Sequence, residues 1–354
     1  MLGEHGSAEA ALDALPQVAR AAGVGDYAPC PADAALAELE HGRALGARLL
    51  AHGAPGYPAA LMDLPDAPPV LWAFGRVELV SRPMVALVGA RNASSLGTRM
   101  ARRLAEGLGD AGYVTVSGLA RGIDRAAHMA TLDSGTIAVQ AGGVDVPYPS
   151  ENAALAAEIG EKGLRLSEHP PGLQPQARHF PQRNRIISGL ARAVVVVEAA
   201  ARSGSLITAR CALDQGREVL AVPGHPFDAR ASGCNMLIRD GAALVRGPDD
   251  VIEALGAPVP IADIAPAPVK PAPRPRARIT TVPETPPDAR RAPPADTPAL
   301  HREILSRLGP SPLAEDQLIR DLNLPAGRIA PELLTLELEG RIARAPGGLL
   351  SRQD

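Results

Sequence analysis

The stretch from Arg178 to Arg210 holds the densest set of side chains able to grip an anion. Arg178, His179, Arg183 and Arg185 fall close together, interleaved with Phe180 and Asn184. No acidic residue occurs from His169 to Val197, in a chain whose net charge is −3. A local field of one sign in a near-neutral protein points to an anionic partner. Guanidinium groups around an aromatic ring suit unpaired nucleic acid. The phosphates take the charge, and each base stacked on a ring contributes about 1–3 kcal/mol. Simpler readings stand beside this one. Arg183 and Arg185 equally fit a solvated face paired to acids elsewhere, and Phe180 equally fits a core. Ser203, Gly204 and Ser205, with Thr208, offer amides and hydroxyls to a phosphate where a helix begins.

Two other stretches carry chemistry. Val85 to Gly97 runs strand, glycine turn, helix, with Ser94 or Ser95 placed to cap that helix. Its first amides favour anions, and Arg91 leans the turn toward phosphate rather than toward a plain strand-to-helix connection. The turn is not G-x-G-x-x-G, and no acid follows about 20 positions on to hold a ribose, so a dinucleotide is poorly supported. Ser117 to His128 repeats the device more tightly. There Asp124 and His128 share a helical face, as an acid–base pair, as two metal ligands without a third, or as a local cap. Glu198 fits a catalytic acid, a cap or an arginine partner. No Walker lysine loop, H-E-x-x-H, C-x-x-C or G-x-S-x-G is present, and nothing forms a nucleophile–base set.

The elements that must position these residues read as α/β. A chain of 354 residues allows two or three domains. Apolar residues make up 46% and aromatics only 2%, so Ala, Val and Leu must fill the core. Cys30, Cys211 and Cys234 are too widely spaced for a disulfide framework or a zinc site. No apolar run approaches the roughly 18 residues of a membrane span. The start shows no signal peptide, which points to the cytoplasm.

Residues 1–55 read as helical, with helices at Ala8–Leu15 and Ala34–Ala44 and a short strand at Ala47–Leu50. A proline-punctuated connector leads to a strand at Val70–Phe74. From residue 84 strands alternate with helices: strands at Met84–Val88, Tyr113–Ser117, Thr136–Gln140, Leu164–Ser167, Ala193–Val197 and Val219–Val222. The helices between them are Leu96–Leu108, Ile123–Leu132, Glu151–Glu161 and Leu206–Gln215. That alternation predicts a mostly parallel sheet with helices on both faces. Cys234–Asp240, Ala243–Val245 and Asp249–Leu255 follow as helix, strand and helix. Residues 258–298 hold 13 of the 36 prolines and read as an extended linker. Beyond it, helices at His301–Leu308, Glu315–Leu322 and Ile329–Glu339, with a hairpin of Arg341–Arg344 and Gly348–Ser351, predict a winged helix. That fold serves DNA or protein docking.

Together these stretches resemble the DprA/Smf family, the DNA-processing proteins of bacterial transformation. The matching motifs are VGARNAS with its following glycine (residues 88–97), SGLARGIDRAAH (117–128), GGVDVPYPSEN (142–152), SEHPPG (167–172), FPQRNRIISGLA (180–191), the long run 195–224 and SGCNMLIRDGA (232–242). They cover most of residues 57–255 in the family's order. The resemblance implies a partial helix-hairpin-helix or SAM-like domain over 1–55 and an extended Rossmann-like domain over 56–257. The linker (258–298) and a winged helix over 299–354 complete it. GSAEAALDAL reads as entering the first domain midway, from which a truncated domain or a start codon set too late is expected.

The implied function is binding of single-stranded DNA without strong sequence preference, its protection, and loading of RecA onto it despite single-strand binding protein. A homodimer is implied, and neither enzymatic activity nor a cofactor or metal. Carried across by motif, the DNA groove comprises Gly89, Arg91, Ser117, Gly118, Arg121, Phe180, Arg183, Asn184, Ser203, Gly204 and Ser205. The dimer and RecA surface falls around Leu237, Ile238 and Leu244. Two other classes compete. One is a nucleotide-cleaving enzyme on a related scaffold using Glu198; in such enzymes the acid follows the glycines, whereas Glu198 precedes Gly204, which counts against it. The other is a transcription factor whose winged helix reads duplex DNA while the sheet domain senses a ligand.

Overall fold

The computed structural model describes residues 2–25, 27–256, 297–310, 312–322, 324–345 and 348–353. The expected linker lies outside the described residues except for its last two positions. Helices α1 (Leu2–His5), α2 (Ala8–Ala21) and α3 (Ala32–Ala44) come first. Strands β1 (Arg48–Ala51) and β2 (Val70–Gly75) lead into the alternating part. It runs β3 (Met84–Gly89), α4 (Ser95–Asp110), β4 (Val114–Ser117), α5 (Ile123–Ala130), β5 (Thr136–Val139), α6 (Ala153–Lys162) and β6 (Leu164–Ser167). It continues with α7 (His179–Leu190), β7 (Ala193–Glu198), α8 (Ser205–Asp214), β8 (Glu218–Ala221), α9 (Ser232–Arg239), β9 (Ala243–Leu244) and α10 (Pro248–Leu255).

The nine strands form one sheet in the order β1-β2-β6-β5-β4-β3-β7-β8-β9. Pairing is parallel from β6 to β9, while β2 runs antiparallel to β1 and to β6. The valine run of β7 explains its central place: all six of its residues are buried, as a strand covered on both faces requires. Side chains alternate between two cores. Ala86, Val88, Val194 and Val196 pack with Ile186, Ile187 and Leu190 of α7 and with Ala209 and Ala212 of α8. Val85, Leu87, Val195 and Val197 pack with Leu104 and Leu108 of α4 and with Ile123 and Ala127 of α5. Small alanines thus let helices lie close on the sheet where large rings are scarce.

The strand order reverses direction between β3 and β7. In such sheets the carboxyl ends splay apart there and leave a crevice. Helix α7 has no counterpart among the sequence-based expectations. Its apolar residues crowd into its second half, and Pro181 falls in its first turn, where a missing N–H is tolerated.

The lone tryptophan, Trp72 on β2, is buried and donates from Nε1 to Glu38 Oε1 on α3 at 3.0 Å. This bond ties the first helices to the sheet. Helices α11 (Thr297–Arg307), α12 (Glu315–Leu322) and α13 (Ala326–Leu338) enclose a separate leucine-rich core. Strands β11 (Ile342–Ala345) and β12 (Leu349–Arg352) form the wing, and a third strand, β10 (Leu313–Ala314), pairs with β12. The Arg230 guanidinium donates to the Ser306 and Leu308 carbonyls at 2.7 and 2.8 Å, joining the two parts. Among the described residues no helix is long and apolar enough to cross a membrane.

Candidate nucleic-acid interface

A cleft of about 960 Å³ opens at the crevice between β3 and β7. Gly89, Arg91 and Asn92 form one wall, Phe180, Arg183 and Asn184 of α7 another, and Ser203, Gly204 and Ser205 the third. The Arg91 guanidinium lies 5.3 Å from the centre of the Phe180 ring. Tyr148 also approaches that ring, tilted to it at 54°, with centroids 5.4 Å apart. Phe180 is half-buried, and Arg91 and Tyr148 are exposed. The result is a positively charged shelf that carries two aromatic rings. Gly118 and Arg121 line a small recess beside it that shares Arg91, Phe180 and Arg183. Ser117 does not reach the cleft; its hydroxyl donates to the Leu87 carbonyl at 2.6 Å, inside the sheet.

Arg183 is only 5% exposed and donates from Nη1 to the Val139 carbonyl. Burial draws its guanidinium down to about 10, and Asp124 works against that pull. An arginine so placed remains charged at neutral pH and projects its field into the cleft. Gly118 makes room for it: a Cβ there would come within 2.2 Å of Nη1.

The turn that supplies Gly118 is itself strained. Leu119 holds φ at +57°, a left-handed conformation that costs a branched residue about 1–3 kcal/mol. Asp124 and His128 are what hold it. Asp124 accepts from the Gly118 and Ala120 amides at 3.1 and 3.3 Å. His128 Nε2 accepts from the Leu119 amide at 3.3 Å, while Nδ1 meets the Thr136 hydroxyl at 2.7 Å. Asn152 closes the set by donating to the Leu119 carbonyl at 2.8 Å. Of the readings open for the Asp124–His128 pair, the geometry selects the cap.

Burial pushes the Asp124 carboxyl up, against Arg183 and the two amides. Burial, with Arg183 adding to it, pushes His128 down to about 3 from 6.5. The unfolded chain therefore takes up a proton near pH 6.5 that the folded chain refuses until about pH 3. The His128 contribution to stability is whole above the first pH and drains as pH falls toward the second. Urea midpoints are expected to drop more between pH 7 and pH 5 in the wild type than in His128→Asn. Equal drops would remove His128 as the cause.

Several charges near the cleft are engaged elsewhere. The Arg185 guanidinium is bonded to Glu168 and lies 3.6 Å from Asp66, which takes it out of the basic cluster. His179 is buried with its ring 4.4 Å from that of His169. The N-terminus of α4 holds no vacancy for a phosphate. Glu198 accepts there from the Ser94 amide at 3.1 Å and from the Ser94 hydroxyl at 2.7 Å, and a Cβ on Gly97 would strike it. Burial pushes the Glu198 carboxyl up despite these bonds. Its carboxylate borders a separate cavity of about 390 Å³ rather than the cleft. The turn at 203–205 is pre-ordered: the Ser203 and Ser205 hydroxyls lie 2.7 Å apart, and a Cβ on Gly204 would meet open space.

Leu237 and Ile238 of α9 are half-buried against the core, and Leu244 on the edge strand β9 is 44% exposed. Tyr148 and Asn152 are cleft and loop residues that side-chain chemistry alone did not single out. Their only signal was their place in the motif 142–152.

Comparison with known proteins agrees with this architecture. Residues 48–256 match the family model of DNA recombination-mediator protein A, residues 286–348 the DprA winged helix domain, and residues 1–40 the DprA-like N-terminal HHH domain. Protein Smf of Synechocystis is 37% identical over 307 residues, covering 83% of this chain and 77% of that protein. DNA processing protein DprA of Streptococcus pneumoniae is 48% identical over 198 residues, 55% of this chain and 70% of that one. The crystal structure of the S. pneumoniae protein aligns with a TM-score of 0.57 at 45% identity, over 59% of this chain and 74% of that one. A structure of the Helicobacter pylori protein, solved to describe its single-stranded DNA binding mode, aligns with a TM-score of 0.55 at 29% identity, over 59% of this chain and 95% of that one. With its core, its winged helix and its first helices all matched, the chain belongs to the DprA/Smf family of DNA recombination-mediator proteins.

Proposed function

We propose that the cleft binds single-stranded DNA with little sequence preference, using Gly89, Arg91, Gly118, Arg121, Phe180, Arg183, Asn184 and the turn 203–205. The observation that carries this reading is the Arg91–Phe180–Tyr148 shelf. Every base has a flat face, so stacking is indifferent to sequence, and duplex DNA hides those faces. The single-stranded DNA binding mode described for the H. pylori relative supports it. Ser117 acts one layer behind, through the strand end it braces. In natural transformation such binding protects the incoming strand. The same protein then hands it to RecA in place of single-strand binding protein, acting in the cytoplasm as a homodimer through the surface around Leu237, Ile238 and Leu244. No catalytic step and no cofactor enters this scheme.

The test is a titration of single strands against duplexes of equal length, with and without residues 297–354. Single strands are expected to bind more tightly in both forms of the chain. Their log K is expected to fall with log salt by about 0.7 for each phosphate neutralised. Equal affinity for duplexes, or loss of binding without the winged helix, overturns the proposal. RecA loading is read separately, as filament growth on strands precoated with single-strand binding protein, and Leu244→Asp is expected to abolish it.

A further inference from the structure

The cleft does not end at Arg91. Arg91 and Asn92 also open a second trough, of about 840 Å³, on the face of the sheet covered by α4 and α5. Arg102 of α4 lines it with Arg121, just before α5, and Arg125, on α5. Arg102, Arg121 and Arg125 are all exposed. Among the described residues neither Arg91, Arg102 nor Arg125 has a carboxylate partner. Arg125 is oriented instead by a neutral group, the Asn152 Oδ1 at 3.1 Å, which leaves its charge uncompensated. Arg121 meets Glu151 at 3.3 Å, but both side chains are largely in solvent, and such a pair holds little energy. The other acid on the trough, Glu303, is already bound by Arg307 at 2.9 Å. Among the described residues no aromatic lines the trough.

We infer that a single strand leaving the Phe180 shelf turns over Arg91 and continues along this trough. Its phosphates then lie on Arg102, Arg121 and Arg125. The inference rests on the cleft being a single-stranded DNA site. It adds that the footprint folds round the carboxyl edge of the sheet, from the α7 face to the α4–α5 face. The two halves differ in kind. The shelf holds bases by stacking, whereas the trough has no ring to offer and holds the backbone by charge alone.

Length and salt separate the two halves. For an oligothymidine of about six nucleotides, within the footprint of a single small module, Arg102→Ala/Arg125→Ala is expected to change affinity less than twofold. For a strand several times longer it is expected to weaken binding about tenfold. It should also flatten the salt slope by about 1.4, the value for two phosphates. Arg102→Glu alone, which removes no bond to another residue, is expected to act in the same direction and guards against a folding defect. Equal losses at both lengths, or none at either, overturn the trough. If the short strand fails to bind the wild type at all, the shelf itself is wrong, a different outcome from failure of the trough.

Discussion

Arg91→Ala/Phe180→Ala is expected to bind single-stranded DNA about a hundredfold more weakly than the wild type while melting at the same temperature. Loss of a stacked base costs about 1–3 kcal/mol. Loss of the Arg91 cation as a further partner for the strand's bases costs about 0.5–1 kcal/mol more at an exposed site. The sum, near 2.7 kcal/mol, is two decades of affinity. Arg91 is exposed and Phe180 half-buried, and neither donates a side-chain bond that holds the fold. Fluorescence anisotropy with a labelled strand at one fixed salt concentration reads the result. A loss smaller than about threefold removes the shelf from the binding site.

Arg183→Ala is expected to do something different: to lower stability by about 3 kcal/mol and binding with it. The guanidinium is sealed among Val139, Gly118 and Asp124. Removing it leaves the Val139 carbonyl without that donor and buried Asp124 without the positive charge that offsets its burial. Urea unfolding shows the loss. Arg121→Ala, by contrast, gives up only the exposed pair with Glu151 and is expected to shift stability by less than about 0.5 kcal/mol. A double substitution at Arg121 and Arg183 therefore mixes a binding defect with a folding defect, whereas the Arg91–Phe180 pair does not. Full stability in Arg183→Ala would mean that the arginine is held less tightly than its burial indicates.

The parts legible in sequence were those whose signal is local. A run such as Ala193–Val197 announces a strand covered on both faces, and every strand of the parallel part was placed within two residues of its observed bounds. The spacing of helices and strands announced the layers. Helix α7 escaped because its first half is polar and carries a proline, so no apolar stripe marks it.

The site was legible as a set of residue types but not as a set of pairings. Arg185 and Arg183 look alike in sequence. Only the fold brings Glu168 and Asp66 to one of them and a backbone carbonyl to the other. Glu198 fills the anion seat at α4 because β7 happens to end beside Ser94, a contact between residues far apart in the chain. The left-handed turn at Leu119 was invisible for a related reason. Nothing about leucine predicts it, and the groups that stabilise it come from α5, β5 and the stretch before α6.

The single indole gives this chain an unusual optical property. Trp72 sits where α3 is pinned to β2 and takes no part in lining the cleft. Its emission is therefore a private channel for the seam between the first helices and the sheet. DNA added to saturation is expected to leave it undimmed, and a chain whose leading helices have come away is expected to glow differently while its cleft remains intact.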